Sequence, residues 1–222
     1  MASEIERKYL VTGNEWQNLP FKSKTTIVQG YVRKDCDIRM VFHRSGCVSM
    51  EFVGDAERIN FDATYDPATN DFDKVADLPN YDRVHQVFKL DDQTVFRLRS
   101  RSNGADKRAY ITIKRFTGNA ERNQEFEIEI PQRRVDALKH AFLVNTVRKI
   151  RHEIEYAGRI WEVDVFKDHL KGLIMAEIEV ATESEFAEIE KNLLPGLGQN
   201  VTQDLRYSNE MLGRNGIPAY SK

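Results

Sequence analysis

The sequence predicts a mainly β protein whose strands wrap a charged interior. Two observations carry this. The dominant hydrophobic period is two rather than 3.6, and it recurs over 4–10, 26–32, 95–101, 109–115, 124–130, 147–155, 159–166 and 175–180. Within these runs one face carries ladders of charge: Arg97, Arg99 and Arg101 alternate with Phe96, Leu98 and Ser100, and Glu125, Glu127 and Glu129 with Phe126, Ile128 and Ile130. Side chains repeat every two residues along a strand, so each ladder points one way.

In chain order, the first strand places Glu4, Glu6 and Lys8 on one face, and Thr12 with Glu15 has capping-box spacing just after it. After the second strand the texture changes between Tyr31 and Val95. DIRMVFHRSGCVSMEFVGD reads as a hairpin turning at Ser45 and Gly46, and the stretch 62–82, with Pro67, Pro79 and six aspartates, reads as a long loop. The arginine strand, the strand holding Lys114 and the glutamate strand follow. Val135, Leu138 and Phe142 share a helical face before the strand with Lys149 and Arg151. Glu162 and Asp164 alternate on the next strand, and Glu177 and Glu179 on the one after it. Thr182 and Glu185 form a capping box ahead of a helix burying Phe186, Ile189 and Leu193. Leu205, Ser208 and Leu212 predict a closing helix stopped by Gly213, with Pro218 in the tail.

With 222 residues the chain suits one domain, 1–222, with an insertion at about 32–94. Charged residues make up 31% of the chain but cancel to a net charge of -2, which predicts no nucleic-acid or membrane partner. No apolar run reaches the ~18 residues of a membrane span, and MASEIERK lacks an export signal, so a cytoplasmic protein is expected. Cys36 and Cys47 read as reduced thiols. His43, His85, His140, His152 and His169 show no metal-ligand spacing and read as structural or surface residues, and Trp16 and Trp161 as packing residues.

A solvated sheet face with cross-strand ion pairs explains any one ladder, each pair giving about 0.2–1 kcal/mol. It explains the repetition poorly, because like charges in a row repel. A closed barrel with a charged lumen and an apolar outside covered by helices accounts for all the strands together. Such a lumen suits a multiply charged ligand with a metal: Arg and Lys neutralise phosphate oxygens, and Glu and Asp give the hard oxygens that Mg²⁺ or Mn²⁺ prefers. Phosphoryl or nucleotidyl transfer follows as the expected chemistry.

The order of ExExK (Glu4, Glu6, Lys8), QGY (Gln29–Tyr31), RLR (Arg97–Arg99), TIK (Thr112–Lys114), EFEIEI (Glu125–Ile130), VRKIR (Val147–Arg151), EVDVF (Glu162–Phe166), AEIEV (Ala176–Val180) and DLRYSN (Asp204–Asn209) resembles the CYTH superfamily, the triphosphate tunnel metalloenzymes. Within it the chain is similar to the small bacterial-type triphosphatases, over about 1–31 and 95–213. The resemblance implies an α+β, mainly β fold: an eight-stranded antiparallel β tunnel with flanking helices, here with an inserted hairpin and loop. It implies one or two Mg²⁺ or Mn²⁺ ions on Glu4, Glu6, Asp164, Glu177 and Glu179. It further implies phosphate contacts from Lys8, Arg97, Arg99, Lys114, Lys149, Arg151 and Arg206, with Lys8, Glu125, Glu127 and Lys149 in catalysis. Arg101 and Glu129 are assigned to the rim, and the segment 32–94 has no counterpart and reads as a surface decoration.

The partner expected is a small-molecule triphosphate, bound by a monomer or homodimer. Three functions stay open: hydrolysis of inorganic tripolyphosphate to pyrophosphate and orthophosphate, with nucleoside triphosphates as further substrates; a class IV-type adenylate cyclase; and a non-catalytic polyphosphate- or nucleotide-binding protein.

Overall fold

The computed structural model describes residues 2–43, 45–68, 77–116 and 122–219; of these, the side chains of 2–4, 116 and 122–124 lie outside the description. The eight predicted strands form as β1 (Ala2–Val11), β2 (Phe21–Val32), β8 (Thr94–Asn103), β9 (Asp106–Phe116), β10 (Arg122–Ile130), β11 (Leu143–Tyr156), β12 (Arg159–Phe166) and β13 (Ile174–Val180). Most run longer than the alternating pattern, because backbone pairing continues where alternation ends. Neighbours pair antiparallel in the order β1-β13-β12-β11-β2-β8-β9-β10, and β10 also pairs with β1, with Ala2 opposite Glu125 and Ile5 opposite Arg122.

The segment 32–94 is more strand-rich than predicted. The hairpin forms as β3 (Asp37–Phe42) and β4 (Cys47–Val53), with Gly46 at φ 84° in its turn, where glycine carries no Cβ penalty. Added to it are β5 (Arg58–Thr64), β6 (Tyr81–Asp82) and β7 (Val87–Phe88), and β5 joins β10 through Glu129 opposite Thr64. Part of the predicted loop, 69–76, lies outside the described residues. A short strand, β14 (Leu197–Asn200), pairs with β1.

The predicted decoration is instead part of the core. Ile38, Met40, Val48, Met50, Phe52 and Phe88 pack in one buried cluster with Phe96, Leu98, Ile111, Ile113, Phe126 and Ile128 from β8, β9 and β10. Thus inserted strands, together with helix α1 (Val135–Phe142), cover this outer flank where helices alone were expected. The face of α1 is the predicted one, with Val135, Leu138 and Phe142 buried. On the other flank, helix α2 (Phe186–Ile189) and Trp16 cover β1, β12 and β13. His152, on β11, turns its ring to the outer face, 5.4 Å from Trp16 and 5.1 Å from Phe21.

Several caps depart from expectation. The Thr182–Glu185 box forms, but α2 ends at Ile189, so Leu194 is buried and Leu193 is exposed. After β1 the cap of the 3₁₀ turn Glu15–Asn18 is Asn14, because the Thr12 and Gly13 amides are drawn to the Gly196 carbonyl, each at 3.0 Å. The closing helix α3 (Asn209–Asn215) starts at Ser208, whose hydroxyl accepts from the Met211 amide at 3.2 Å, and it stops at Gly216 rather than Gly213. Gly213 has a different cause: a Cβ there would run into the Asn145 carbonyl, where β11 bulges. Among the described residues no helix is long and apolar enough to cross a membrane, and Cys36 and Cys47 are free.

Candidate active site

Because Phe96, Leu98, Ile111, Ile113, Phe126 and Ile128 turn outward into the core, the alternate positions turn inward. Arg97, Arg99, Arg101, Lys114, Glu125, Arg151, Glu162, Glu177 and Glu179, with Glu6 and Lys8 of β1, line a cavity of about 190 Å³. One mouth is lined by the segment 201–210, which is laced to β1 at Lys8: the Lys8 amide donates to Thr202 Oγ1 at 2.9 Å and the Val201 amide to the Lys8 carbonyl at 2.8 Å.

The charges fall into clusters. Lys8 Nζ lies 2.8 Å from Glu6 and 3.7 Å from Glu177. Burial alone would lower the Lys8 ammonium, but Glu6 and Glu177 outweigh it and hold it above the ordinary lysine range. Glu125 joins Arg97 at 3.1 Å and Lys114 at 2.7 Å; against the opposing effect of burial, these cations hold its carboxyl down at about 2. Arg97 also donates to Thr112 Oγ1 at 3.3 Å, and that hydroxyl donates to Glu127 at 3.2 Å. Deeper in, Asp164 accepts from Lys149 at 2.5 Å and from Arg151 at 2.7 and 2.8 Å. Burial would raise Asp164, yet Arg151 and Lys149 keep it below the usual range. Arg151 also contacts Glu177 at 2.9 Å and Glu162.

Arg99 stands apart. It has no ion-pair partner among the described residues, and its buried Nε has no hydrogen-bond acceptor. Burial, followed by the charges of Arg97, Arg101 and Arg151, lowers its guanidinium to about 10.

Relatives of the chain share one description. An inorganic triphosphatase of Acetivibrio thermocellus is 32% identical over 109 residues, which span 49% of this chain and 67% of the relative. An inorganic triphosphatase of Nitrosomonas europaea is 32% identical over 116 residues, 52% of this chain and 73% of the relative. The chain belongs to the CYTH family of triphosphate tunnel metalloenzymes. A crystal structure of an inorganic triphosphatase matches 99% of both chains at TM-score 0.51 and 23% identity, a likeness of fold. No family model matches the sequence.

In this CYTH protein, Glu6, Lys8, Arg97, Arg99, Lys114, Glu125, Arg151, Glu177 and Glu179 meet at the cavity as a group. Lys149 and Asp164 are buried against each other behind it, and Glu127 lies behind Thr112. Arg206 turns outward onto Asp204, at 2.6 Å. The Glu4 side chain lies outside the description, while its backbone pairs with Asn123. Glu162, which shares a predicted strand face with Asp164, lines the cavity, and so do residues that alternation alone did not single out: Tyr31, whose phenol burial pushes up to about 12, and Asp204 and Glu210. The signal for Tyr31 was available in the period of β2, which puts Gln29 and Tyr31 opposite Arg99 and Arg97. Arg101, assigned to the rim, lines the cavity as well.

The carboxylates available to a cation in the cavity include Glu6, Glu125, Glu162, Glu177 and Glu179. Glu6 faces Glu179 across β1 and β13, and Glu162 faces Glu177 across β12 and β13. Burial, then Glu162, Glu6 and Glu125, push the Glu179 carboxyl up. A divalent cation held there would relieve this crowding, and carboxylates supply the hard oxygens that such ions take. Among the described residues no three such groups converge on one point.

Proposed function

We propose that this protein is a cytoplasmic triphosphatase that hydrolyses inorganic tripolyphosphate to pyrophosphate and orthophosphate, with nucleoside triphosphates as further substrates. The observation that carries this reading is Arg99: a half-buried guanidinium, its Nε fully buried, that faces the cavity without an anionic partner among the described residues. Arginine keeps its charge at neutral pH, so the cavity requires an anion from outside. The two inorganic triphosphatases among its relatives name the class of that anion.

A closed eight-stranded tunnel within one domain is the architecture we infer for the site. The β1–β10 pairing supports it, because the strand order that starts at β1 thereby returns to β1. The free state of Cys36 and Cys47 supports the cytoplasmic placement.

In the proposed reaction Arg97, Arg99 and Lys114 clamp the phosphate chain from one wall, and Lys8 and Arg151 from the other. Glu125, held near pH 2, is too weak a base to take a proton at neutral pH and instead fixes the directions of Arg97 and Lys114. Asp164, with both oxygens engaged, fixes Lys149 and Arg151. Glu4, Glu6, Glu177 and Glu179 would hold one or two Mg²⁺ or Mn²⁺ ions, which when bound neutralise phosphate charge and polarise the bond to be broken.

Purified protein incubated with tripolyphosphate and Mg²⁺ or Mn²⁺ should release orthophosphate, and chelation should stop it. With ATP, pyrophosphate and cyclic AMP would instead indicate a cyclase, and binding without products a sensor. Glu179→Gln should abolish turnover, and Arg99→Ala should raise KM at least tenfold. Full activity in Glu6→Gln and Glu179→Gln would remove the metal assignment.

A further inference from the structure

The arginine strand carries one more cation than a triphosphate clamp uses. Arg101 follows Arg99 on the same face of β8 and lines the same cavity. Its cross-strand neighbours are Ile27 on β2 and Arg108 on β9, so no carboxylate faces it from either side. Its buried Nε lacks a hydrogen-bond partner, and the contact it does make is with the face of the Tyr110 ring, 5.5 Å from the centroid. Arg97, by contrast, is already engaged with Glu125 and Thr112.

Alternate residues of a strand stand about 7 Å apart, so Arg97, Arg99 and Arg101 form a row of guanidinium groups about 13 Å long. The row has a direction. Arg97 is opposite Tyr31, which also feels Glu210 at the mouth, whereas Arg101 is opposite Ile27 at the other end. Lys8, Lys114, Arg97, Arg99 and Arg151, the clamp of the proposed reaction, suffice for three phosphoryl groups. One cation beyond them is left facing open space beside a like charge, an arrangement that gains only when a further anion arrives.

We propose that Arg101 is a specificity-determining residue: it forms an added phosphate subsite that lets the cavity seat linear polyphosphates of four or more units. The inference rests on the triphosphatase reading for its chemistry but not for its binding prediction. The alternative role for Arg101 is packing on Tyr110, which is indifferent to ligand length.

The test is a length series measured on wild type, Arg101→Ala and Arg101→Lys, using tripolyphosphate and tetrapolyphosphate. Affinities are read by calorimetry with metal chelated, and kcat and KM with Mg²⁺ present. Wild type should bind tetrapolyphosphate at least as tightly as tripolyphosphate. Arg101→Ala should lose about tenfold or more in affinity and KM for the tetramer, with less than twofold change for the trimer and an unchanged kcat. Arg101→Lys should recover part of the loss. Equal losses on both lengths, or a wild type that binds only the trimer, would overturn the proposal. Tripolyphosphate turnover with no Arg101-dependent length preference sinks this inference and leaves the triphosphatase reading standing. Length-dependent binding without turnover does the reverse.

Discussion

Removal of the Asp164 carboxylate tests how the interior charges are held. Asp164 and Lys149 are each 1% exposed, and Asp164 accepts three charge-assisted hydrogen bonds, one from Lys149 and two from Arg151. Asp164→Ala leaves two buried cations short of their shared anion. Arg151 keeps Glu162 and Glu177, but among the described residues Lys149 keeps only the Asn209 side chain, at 3.5 Å, and the face of the Phe166 ring, 5.5 Å from its centroid. Breaking a buried pair by removing one partner costs about 3–5 kcal/mol. For a chain of this size that is a fall in Tm of roughly 6–20 °C. The assay is urea or thermal denaturation of wild type, Asp164→Ala, Lys149→Met and the double variant. The double variant should be less destabilised than the sum of the singles, because it removes both halves of the pair. A loss below about 1 kcal/mol in Asp164→Ala, or strict additivity, would refute the claim that Asp164 anchors these cations.

Further outcomes follow from the same charges and from the core. Arg99→Met should stabilise the ligand-free protein by about 1–3 kcal/mol, the desolvation cost of an unsatisfied buried group, while weakening tripolyphosphate binding; urea titration and calorimetry read the two effects. Glu125 is depressed in the folded state, so its contribution is full above its unfolded value of about 4.3 and is lost as pH falls toward about 2. Glu125→Gln should therefore flatten the acid limb of stability over that window, measured by denaturation at stepped pH. Deleting 35–92 should give an aggregated product in a solubility and gel-filtration assay. Phe96, Leu98, Ile111, Ile113, Phe126 and Ile128 are worth about 9–18 kcal/mol when buried, comparable to the whole stability of a domain. A soluble, folded deletion variant would show that helix α1 covers them unaided.

The strands were legible because alternation is enforced twice here, by the core outside and by the charged cavity inside. Every predicted strand from β8 to β13 therefore appears with the expected face inward. The inserted β5 was not legible: Asn60, Asp62 and the aspartate-rich stretch after it share the composition of a loop, and β5 is a strand because it pairs along β4. The position of Lys149 was also beyond sequence reasoning. Its face was predicted, but its depth depends on Asp164 lying within reach across β11 and β12, a cross-strand relation that register sets. Gly213 read as a helix stop because glycine commonly is one, whereas its cause is the carbonyl of Asn145, 68 residues away in sequence.

The acids and bases of the cavity are unevenly matched. Glu6 and Glu177 serve Lys8, Glu125 serves Arg97 and Lys114, and Asp164, Glu162 and Glu177 serve Lys149 and Arg151. Each of these cations is fixed in direction before any ligand arrives. Arg99 and Arg101 are left over, on a strand whose backbone is held by full ladders to β2 and β9, so they cannot retreat from the cavity without breaking the sheet. The unfavourable charge is therefore built in during folding and relieved on binding. This is preorganised electrostatics: no reorganisation is needed when phosphate charge enters. The same reasoning explains why overall composition was silent. A net charge of -2 conceals two guanidinium groups that have no carboxylate partner among the described residues, and it is their position, not their number, that selects a polyanion.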